Sequence, residues 1–363
     1  MQIESDAEGQ MREIPRRAGI VREPAVPGKP VIDPADWRAA DLVADERWIV
    51  HLEDADLDCM RAVARSVRKT IGNDPNGLMS LAPTAFDFGV FSAKLHGIRH
   101  ELKEGFGAVL VRGLPIAEME PLDAAVIYWG IGRHLGIASS NNPEGDMLGH
   151  VTDLGRSHKD SLVRGYQTRE EMAFHCDQST LVGLMCVRTA KSGGLSKISS
   201  SVAMYNELLK RSPEAIPLLS QPFCWTKHGE MNEGECPYYE SPIFNFIDGV
   251  LCTSFGPTHI VKGHMLPEAP DLTDAQREAL ALAKKIADEL HFGMELRLGD
   301  MQFLNNSVVV HTRNEYEDWP DTARKRLLWR LWLIAPEIRP STPYINQWSA
   351  GIKVRSTSER IVL

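Results

Sequence analysis

The chain has 363 residues, of which 43% are hydrophobic and 25% charged, and its formal net charge is −9. This composition is typical of a globular protein with room for one large core or two ordinary domains. A negative balance without runs of Lys or Arg argues against a nucleic-acid partner, because such proteins usually carry a basic face. No apolar stretch reaches the roughly 18 residues that a membrane helix needs, and the N-terminus does not resemble a secretory signal.

The six cysteines are scattered and form no CxxC pair. In a chain of this length, such cysteines are more typical of reduced and largely buried thiols than of a disulfide framework. We therefore expect a cytoplasmic protein without disulfides, and without nucleic-acid or membrane partners.

The first third of the chain predicts a tail followed by helices and a strand. Residues 1–36 are rich in Pro, Gly and charge and lack periodicity, so we expect a tail or an arm over the surface. Apolar residues at helical spacing predict a helix over 53–71 and a second over 84–104, with Thr84 as its N-cap. The apolar run 105–113, bounded by glycines, predicts a buried strand.

Short strand-like segments dominate from about residue 172. They cover 181–188, 195–200, 221–226, 243–252, 294–297, 301–304, 307–311 and 326–334. Helices are predicted over 121–135, 202–211 and 273–290, the last opening near a capping box of Thr273 and Gln276. Alternating βα units are absent, so the pattern favours the α+β class with a mainly β core, a barrel or sandwich with helices outside it, over a doubly wound sheet.

The sharpest local motif is His175-Cys-Asp177. On a strand, residues i and i+2 point to the same side, so these two side chains can share one ligand site. Two His and one carboxylate on one face of a metal leave open positions, as in non-haem iron(II) oxygenases. His311, which ends an apolar strand-like run, is the candidate third ligand. An HxD pair alone is more often a His and an Asp that pair at a surface turn, so the sequence around the motif has to decide.

Arginines follow the last candidate ligand. Arg326 begins a strand-like run that also contains Arg330, and Arg324 precedes it. A planar guanidinium pairs a carboxylate through two parallel hydrogen bonds, which suits a dicarboxylate cosubstrate. The hydroxyl of Ser196, which follows a glycine pair, could complete such a pocket. The alternative for an Arg beside apolar strand residues is a surface end-cap or a structural ion pair.

Other polar residues are weaker candidates. His96 and His100 are spaced for a shared metal on a helix, but no third ligand accompanies them and we expect surface histidines. Trp225, Tyr238 and Tyr239 could line a pocket, although aromatic residues more often fill the core.

A polar, glycine-rich loop precedes the HxD motif. Residues 141–155, with Asn142 and His150 as candidate substrate contacts, and residues 156–171 are candidates for a substrate lid, since functional residues concentrate on loops. The alternative is an ordinary connection. The pair Asn305-Asn306 either forms a turn or faces the site, and we favour the turn.

Several of these segments, taken together, resemble the taurine dioxygenase (TauD/TfdA) family. They are 172–177, 186–196 and 309–330, with 107–113 similar to a segment in the N-terminal part of that family. The resemblance covers roughly residues 85–335 in the right order. It implies a double-stranded β-helix, or jelly roll, in a single domain over 37–363. It also implies dependence on iron(II), 2-oxoglutarate and O2.

The resemblance also assigns roles to the candidate residues. His175, Asp177 and His311 would hold the iron. Arg326 would pair the distal carboxylate of 2-oxoglutarate, with Ser196 in the place of a threonine of the family and Arg324 as the alternative to Arg326. Arg330 falls on the same strand face as Arg326 and would contact an anionic or zwitterionic small-molecule substrate. Relatives commonly self-associate, which leaves room for a homo-oligomer.

The resemblance favours C–H hydroxylation as the reaction, with desaturation or cyclisation open to the same chemistry. A halogenating relative would carry Gly or Ala in the place of Asp177, so halogenation is disfavoured. A non-catalytic jelly-roll module that binds a small ligand is the alternative from another class, because a fold alone does not fix function. A zinc hydrolase with the same ligands is disfavoured by the Arg-rich last strand.

Overall fold

A computed structural model describes residues 19–157, 164–352 and 358–363. The helices are α1 (Ala39–Ala44), α2 (Asp54–Ile71), α3 (Phe91–Glu104), α4 (Pro121–Leu135), α5 (Ser201–Arg211), α6 (Ala215–Leu219), α7 (Pro257–His264), α8 (Asp274–Glu289) and α9 (Pro343–Asn346). The strands are β1 (Ile49–His51), β2 (Ala108–Arg112), β3 (Ile137–Ser139), β4 (Gly149–Val151), β5 (Leu181–Arg188), β6 (Ser192–Gly193), β7 (Ser196–Ser200), β8 (Phe223–Thr226), β9 (Tyr238–Ser241), β10 (Phe244–Ile247), β11 (Val250–Thr253), β12 (Phe292–Met294), β13 (Met301–Asn305), β14 (Val309–Arg313), β15 (Tyr316–Glu317) and β16 (Leu327–Ile334).

Two sheets build the core. The larger has the strand order β1-β2-β13-β5-β16-β3, with β4 also paired to β16, and apart from the parallel pair β1–β2 its strands run antiparallel. The smaller sheet has the order β12-β7-β14 and is antiparallel. Apolar residues of both sheets, among them Leu328 and Trp332 on β16 and Val310 on β14, belong to one buried cluster. Two sheets that share a core in this way fit the predicted jelly roll.

The larger sheet is buried on both faces. Successive side chains of a strand point to opposite sides. Leu328 and Trp332 of β16 therefore join the cluster between the sheets, while Trp329 and Leu331 join a second cluster with α2, α3 and α4. The almost continuous apolar sequence of β16 follows from this double burial. The helices cover the outer face, as predicted.

Most helix predictions are confirmed, with one wrong start. Helix α8 carries the predicted capping box of Thr273 and Gln276. The helix predicted over 84–104 begins only at Phe91, and Thr84 lies in a separate 3-10 turn. Gly89 between them adopts φ +50°, a left-handed conformation that an α-helix does not contain, so the helix cannot start before it.

Three strand predictions need correction. The segment 243–252 is a hairpin of two strands, because Asp248 and Gly249 both take positive φ, which produces a tight turn between β10 and β11. The strand predicted over 294–297 lies earlier, at β12, since hydrogen bonds within 297–300 turn the chain. The strand predicted over 307–311 lies later, at β14, after a turn in which Asn305 Oδ1 accepts from the Ser307 amide.

The described part of the N-terminal segment, from residue 19 onward, lies against the body of the protein. Asp33 is 2% exposed and pairs with Arg339 Nη2 at 2.6 Å and Arg22 Nε at 2.8 Å. The Ser200 hydroxyl donates to the Ala35 carbonyl. The end of this segment is therefore anchored at Asp33, while the predicted domain boundary near residue 36 stays a prediction, and residues 1–18 lie outside the described part.

The cysteines are free, and Cys176, Cys186, Cys224 and Cys252 are buried, which confirms the prediction of largely buried thiols. Among the described helices, none combines the length and apolar character that crossing a membrane requires.

Candidate functional site

His175, Asp177 and His311 come together between the two sheets. Strand β14 carries His311, and the backbones of His175 and His311 exchange hydrogen bonds of 3.0 and 2.8 Å in an isolated antiparallel bridge. Each of the three side chains offers one donor atom, and these atoms all lie within 4.8 Å of one another. The structure thus brings the predicted trio into reach of a single ion, although His175 lies in a bridge rather than in a regular strand.

The hydrogen bonds of the trio leave the right atoms available for a metal. His175 Nδ1 lies 2.9 Å from the Ala173 carbonyl oxygen, which can only accept, so Nδ1 carries the proton and Nε2 presents its lone pair. Asp177 Oδ1 accepts from Arg330 Nη1 at 3.2 Å. Its Oδ2 is buried without a hydrogen-bond partner in the described structure and lies 3.8 Å from His311 Nε2.

Burial sets the protonation of the trio. It lowers the pKa of His311 to about 3, with His175 adding repulsion, and it lowers the pKa of His175 as well. Burial alone would raise the pKa of Asp177, but Arg330 and the two imidazoles outweigh it and hold that pKa below its usual value. At neutral pH the trio is two neutral imidazoles and a carboxylate, which is the state that binds a divalent metal. The donor set therefore fits iron(II).

Asn306 fixes the position of Asp177. Its Oδ1 accepts from the Asp177 amide at 3.0 Å, while its Nδ2 donates to the Ser179 carbonyl at 2.9 Å. The predicted turn at Asn305-Asn306 is present and also supports the site. Cys176, between the ligands in sequence, is buried on the other side, and burial raises the pKa of its thiol to about 12. It is therefore unsuited to be a thiolate ligand.

One cavity, of about 480 Å³, reaches from His311 to Arg326 and Ser196. The Arg326 side chain is buried, and its Nη1 has no hydrogen-bond partner in the part of the structure that is described. Among the described residues no carboxylate forms an ion pair with the guanidinium, and burial lowers the pKa of Arg326. Tyr316 lies under the guanidinium, 5.1 Å from ring centroid to Cζ. A buried cation that lacks an anion is what a dicarboxylate would complete.

A second cavity, with about 620 Å³ of empty space that is partly open to solvent, also borders His175 and Asp177. Arg330 lines both cavities, and its Nε donates to Asn141 Oδ1 at 2.9 Å. Tyr166 also lines both and lies 4.6 Å below the Arg330 guanidinium. The remaining polar lining of the second cavity includes Arg164, His228, Thr258, His259 and Lys262. The trio therefore borders two spaces that could hold a cosubstrate and a substrate.

Three predicted contacts lie elsewhere. Arg324 is exposed and stacks on Trp319, with its Cζ 3.6 Å from the ring centroid, because it precedes β16 in a 3-10 turn. Asn142 is bonded to Asp146 within its own turn. His150 points away from the cavities, and its Nε2 donates to the Val362 carbonyl. Successive side chains of a strand point to opposite sides, so the neighbouring Val151 lines the cavity instead.

The remaining candidate side chains lie either at the surface or in the core. His96 and His100 are exposed on α3, as predicted. Trp225 and Tyr239 are core residues that pack on each other. Part of the predicted lid, residues 158–163, lies outside the described structure, but Arg164 and Tyr166 do line the second cavity. Sequence analysis included these two and Asn141 only as part of the candidate lid segments, without naming a role for them. It missed His228, His259 and Lys262, because irregular segments and a short helix gave no motif to mark them.

Comparisons with known proteins identify the family of the chain. The model of the family described as "Taurine catabolism dioxygenase TauD, TfdA family" matches residues 80–332. The chain is 28% identical over 336 residues to FR-33289 synthase of Streptomyces rubellomurinus, covering 91% of this chain and 98% of that protein. It is 27% identical over 307 residues to the taurine hydroxylase-like protein SAT17 of Stachybotrys chartarum, and the match covers 82% of this chain and 78% of that protein.

Solved structures show the same fold. An asparagine oxygenase in complex with Fe(II), 2S,3S-3-hydroxyasparagine and succinate superposes with a TM-score of 0.62 at 16% identity, over 81% of this chain and 97% of that one. The likeness confirms the predicted double-stranded β-helix. Because the family model spans well over half of the sequence, this protein belongs to the TauD/TfdA family of iron(II)- and 2-oxoglutarate-dependent dioxygenases.

Proposed function

We propose that this dioxygenase hydroxylates a C–H bond of a small anionic or zwitterionic molecule at an iron(II) held by His175, Asp177 and His311. The observation that carries the proposal is that the trio borders two cavities, one of which reaches the buried guanidinium of Arg326, whose Nη1 has no hydrogen-bond partner among the described residues. A decayed binding module would have no reason to keep an ion site and a buried cation together.

The residues of the site have distinct roles in the proposed reaction. His175 and His311 give neutral nitrogen ligands, and Asp177 gives Oδ2 while Arg330 holds Oδ1. Arg326 and Ser196 receive the distal carboxylate of 2-oxoglutarate in the cavity that they line. When bound, iron and 2-oxoglutarate supply the activation of O2, with succinate and CO2 as the products of the cosubstrate.

The second cavity is the proposed substrate site. It borders His175 and Asp177, whereas Arg326 and Ser196 line only the other cavity. Arg330 lies between the two spaces, and its guanidinium is already bonded to Asp177 and Asn141. We assign two roles to Arg330, since it neutralises the ligand carboxylate and also presents a positive edge to an anionic group of the substrate.

The test is an anaerobic titration of the protein with iron(II) and 2-oxoglutarate, followed by the visible charge-transfer absorption of the chelate. We expect absorption in the wild type, none in His175→Ala, and at least a tenfold higher 2-oxoglutarate requirement in Arg326→Gln. Arg324→Gln is the matched control, because that guanidinium is exposed and stacks on Trp319. Equal titrations of Arg326→Gln and wild type would overturn the assignment of the cosubstrate pocket.

A further inference from the structure

Arg313 is a buried cation to which the proposed reaction gives no role. It lies on β14, two residues after His311, and it is 5% exposed. Its hydrogen bonds in the described structure all go to backbone carbonyl oxygens, and its Nε is buried there without a partner. Burying a cation that only carbonyl dipoles compensate is costly, so an anion brought close to it stabilises its position.

The Arg313 guanidinium holds residues 164–172, which we call the wall segment. Nη1 donates to the Glu170 carbonyl at 2.6 Å. Nη2 donates to the carbonyl of Thr168 and, at 3.4 Å, to that of Gly165. Three backbone carbonyls of one segment thus converge on a single side chain, and the position of the segment depends on where that side chain lies.

The wall segment borders both cavities. Arg164, Tyr166 and Met172 line the second cavity, which is the proposed substrate site. Tyr166 and Met172 also line the first cavity, which is the proposed cosubstrate site. A change in the order of this segment is therefore felt in the space that the substrate would occupy.

Arg313 itself lines the first cavity, together with Arg326. The two guanidiniums lie against the same ring, that of Tyr316, with their Cζ atoms 4.7 and 5.1 Å from its centroid. Burial and repulsion by Arg326 lower the pKa of Arg313 to about 10, and Tyr316 and Asp153 act in the opposite direction. Arg313 is thus still a cation at neutral pH. A carboxylate beside Arg326 would attract both cations and offset their repulsion.

We propose that Arg313 is a positioning residue that couples the binding of a dicarboxylate beside Arg326 to the order of the wall segment. Without a dicarboxylate, burial and like charge oppose the position in which Arg313 holds the three carbonyls. A bound dicarboxylate favours that position, so the wall of the substrate cavity is ordered before the substrate arrives. This inference rests on the proposed function, because it takes the first cavity as the cosubstrate site.

The alternative is a purely structural role, in which Arg313 holds the wall segment equally well with and without a dicarboxylate. Thr312 provides a matched comparison for this alternative. Its hydroxyl donates to the Met172 carbonyl at 2.6 Å, so the neighbouring side chain binds the same segment without carrying a charge. Loss of the Thr312 hydroxyl should loosen the segment, whereas loss of the Arg313 charge should also abolish its response to a dicarboxylate.

The test is amide hydrogen exchange, measured by mass spectrometry on peptides from 164–172. The protein is loaded with manganese(II) in place of iron(II) and compared with and without 2-oxoglutarate at a concentration shown by titration to saturate each variant. In the wild type we expect 2-oxoglutarate to slow exchange in the wall segment about fivefold or more, as for a typical coupling between two sites. Helix α8, which lines neither cavity, should exchange at an unchanged rate.

Three variants separate the two roles. Arg313→Gln should abolish the slowing, and Arg313→Lys, which keeps the charge but not the planar fork, should retain part of it. Thr312→Val should speed exchange in both states and leave the slowing by 2-oxoglutarate intact. Equal slowing in Arg313→Gln and the wild type would overturn the inference, as would a wild type whose wall segment does not respond. If Arg313→Gln does not fold, slowing in Arg313→Lys as large as in Thr312→Val overturns it.

The inference and the proposed function can fail separately. Normal charge-transfer absorption with 2-oxoglutarate, but no slower exchange in the wall segment, would refute the inference and leave the oxygenase assignment standing. Slower exchange that succinate or 2-oxoglutarate induces through Arg313, in a protein that forms no chelate absorption, would refute the proposed function alone.

Discussion

Arg330→Met would test how the protein stabilises the ligand carboxylate. The Arg330 and Asp177 side chains are 6% and 7% exposed, and Nη1 lies 3.2 Å from Oδ1. At that distance, with an effective dielectric constant of about 20, the Coulomb attraction is about 5 kcal/mol. Removing one partner of a buried pair costs about 3–5 kcal/mol, because the other charge stays buried. We therefore expect the metal-free variant to lose about 4 kcal/mol of unfolding free energy.

A bound divalent metal should rescue most of this loss, because it supplies positive charge to the same carboxylate. Urea unfolding of wild type and variant, each metal-free and with excess manganese(II), measures the difference. The loss in the metal-free variant should also shrink as the pH falls towards 4. Without Arg330 the pKa of Asp177 rises, since burial then dominates, and protonation removes the buried charge.

Arg324→Met is the matched control. Its guanidinium is exposed and stacks on Trp319, so its removal should change the unfolding free energy by no more than about 1 kcal/mol. If Arg330→Met loses as much stability with metal as without it, or no more than the control, then Arg330 does not compensate Asp177 and the electrostatic account of the site is wrong.

Three further predictions concern the support of the site. Asn306→Ala removes the amide that holds the Asp177 backbone, and calorimetry should show about 10–100-fold weaker binding of manganese(II). Burial lowers the pKa of His311 to about 3, so as the pH falls this side chain is protonated in the unfolded chain before it is protonated in the folded protein. The metal-free protein should therefore lose roughly 2 kcal/mol as pH falls from 6.5 to about 5, a loss that His311→Asn should abolish in denaturant unfolding. Asp33→Ala removes the carboxylate that pairs with both Arg339 and Arg22, which leaves the Arg339 guanidinium buried without that partner and should cost about 3–5 kcal/mol in urea unfolding; a loss below about 1 kcal/mol would mean that the N-terminal segment is not anchored there.

The metal trio and Arg326 could be predicted from sequence because strands have a simple period. Residues two apart share a face, so His175 with Asp177, and Arg326 with Arg330, follow from spacing once the strands are recognised. His311 was the candidate third ligand because it ends an apolar strand-like run, and the resemblance to a known family then gave all three residues the same role. Apolar patterns and capping signals predicted the outer helices and a barrel or sandwich of strands, and the family resemblance narrowed this to a jelly roll.

The substrate side could not be predicted because turns have no comparable period. Asn142 was the predicted contact, but its side chain closes its own turn onto Asp146, and its neighbour Asn141 bonds Arg330. Both are asparagines, and only the turn geometry decides which one faces the site. His228 and His259 are 31 positions apart in loop and short-helix sequence, and no local pattern relates them before the chain is folded.

Two buried arginines at the start of β16 differ in whether a carboxylate of the protein already pairs with them. Arg326 and Arg330 are four residues apart, so their Cα atoms are separated by roughly 13 Å along the strand, and both point between the sheets. The end near Arg326 carries a buried cation whose Nη1 has no partner among the described residues, which demands a carboxylate from outside. At Arg330 the protein supplies that carboxylate itself, from Asp177. On the proposed assignment the cosubstrate carboxylate pairs with Arg326, whereas the Arg330 guanidinium already has its carboxylate and leaves less of its charge to an anion of the substrate.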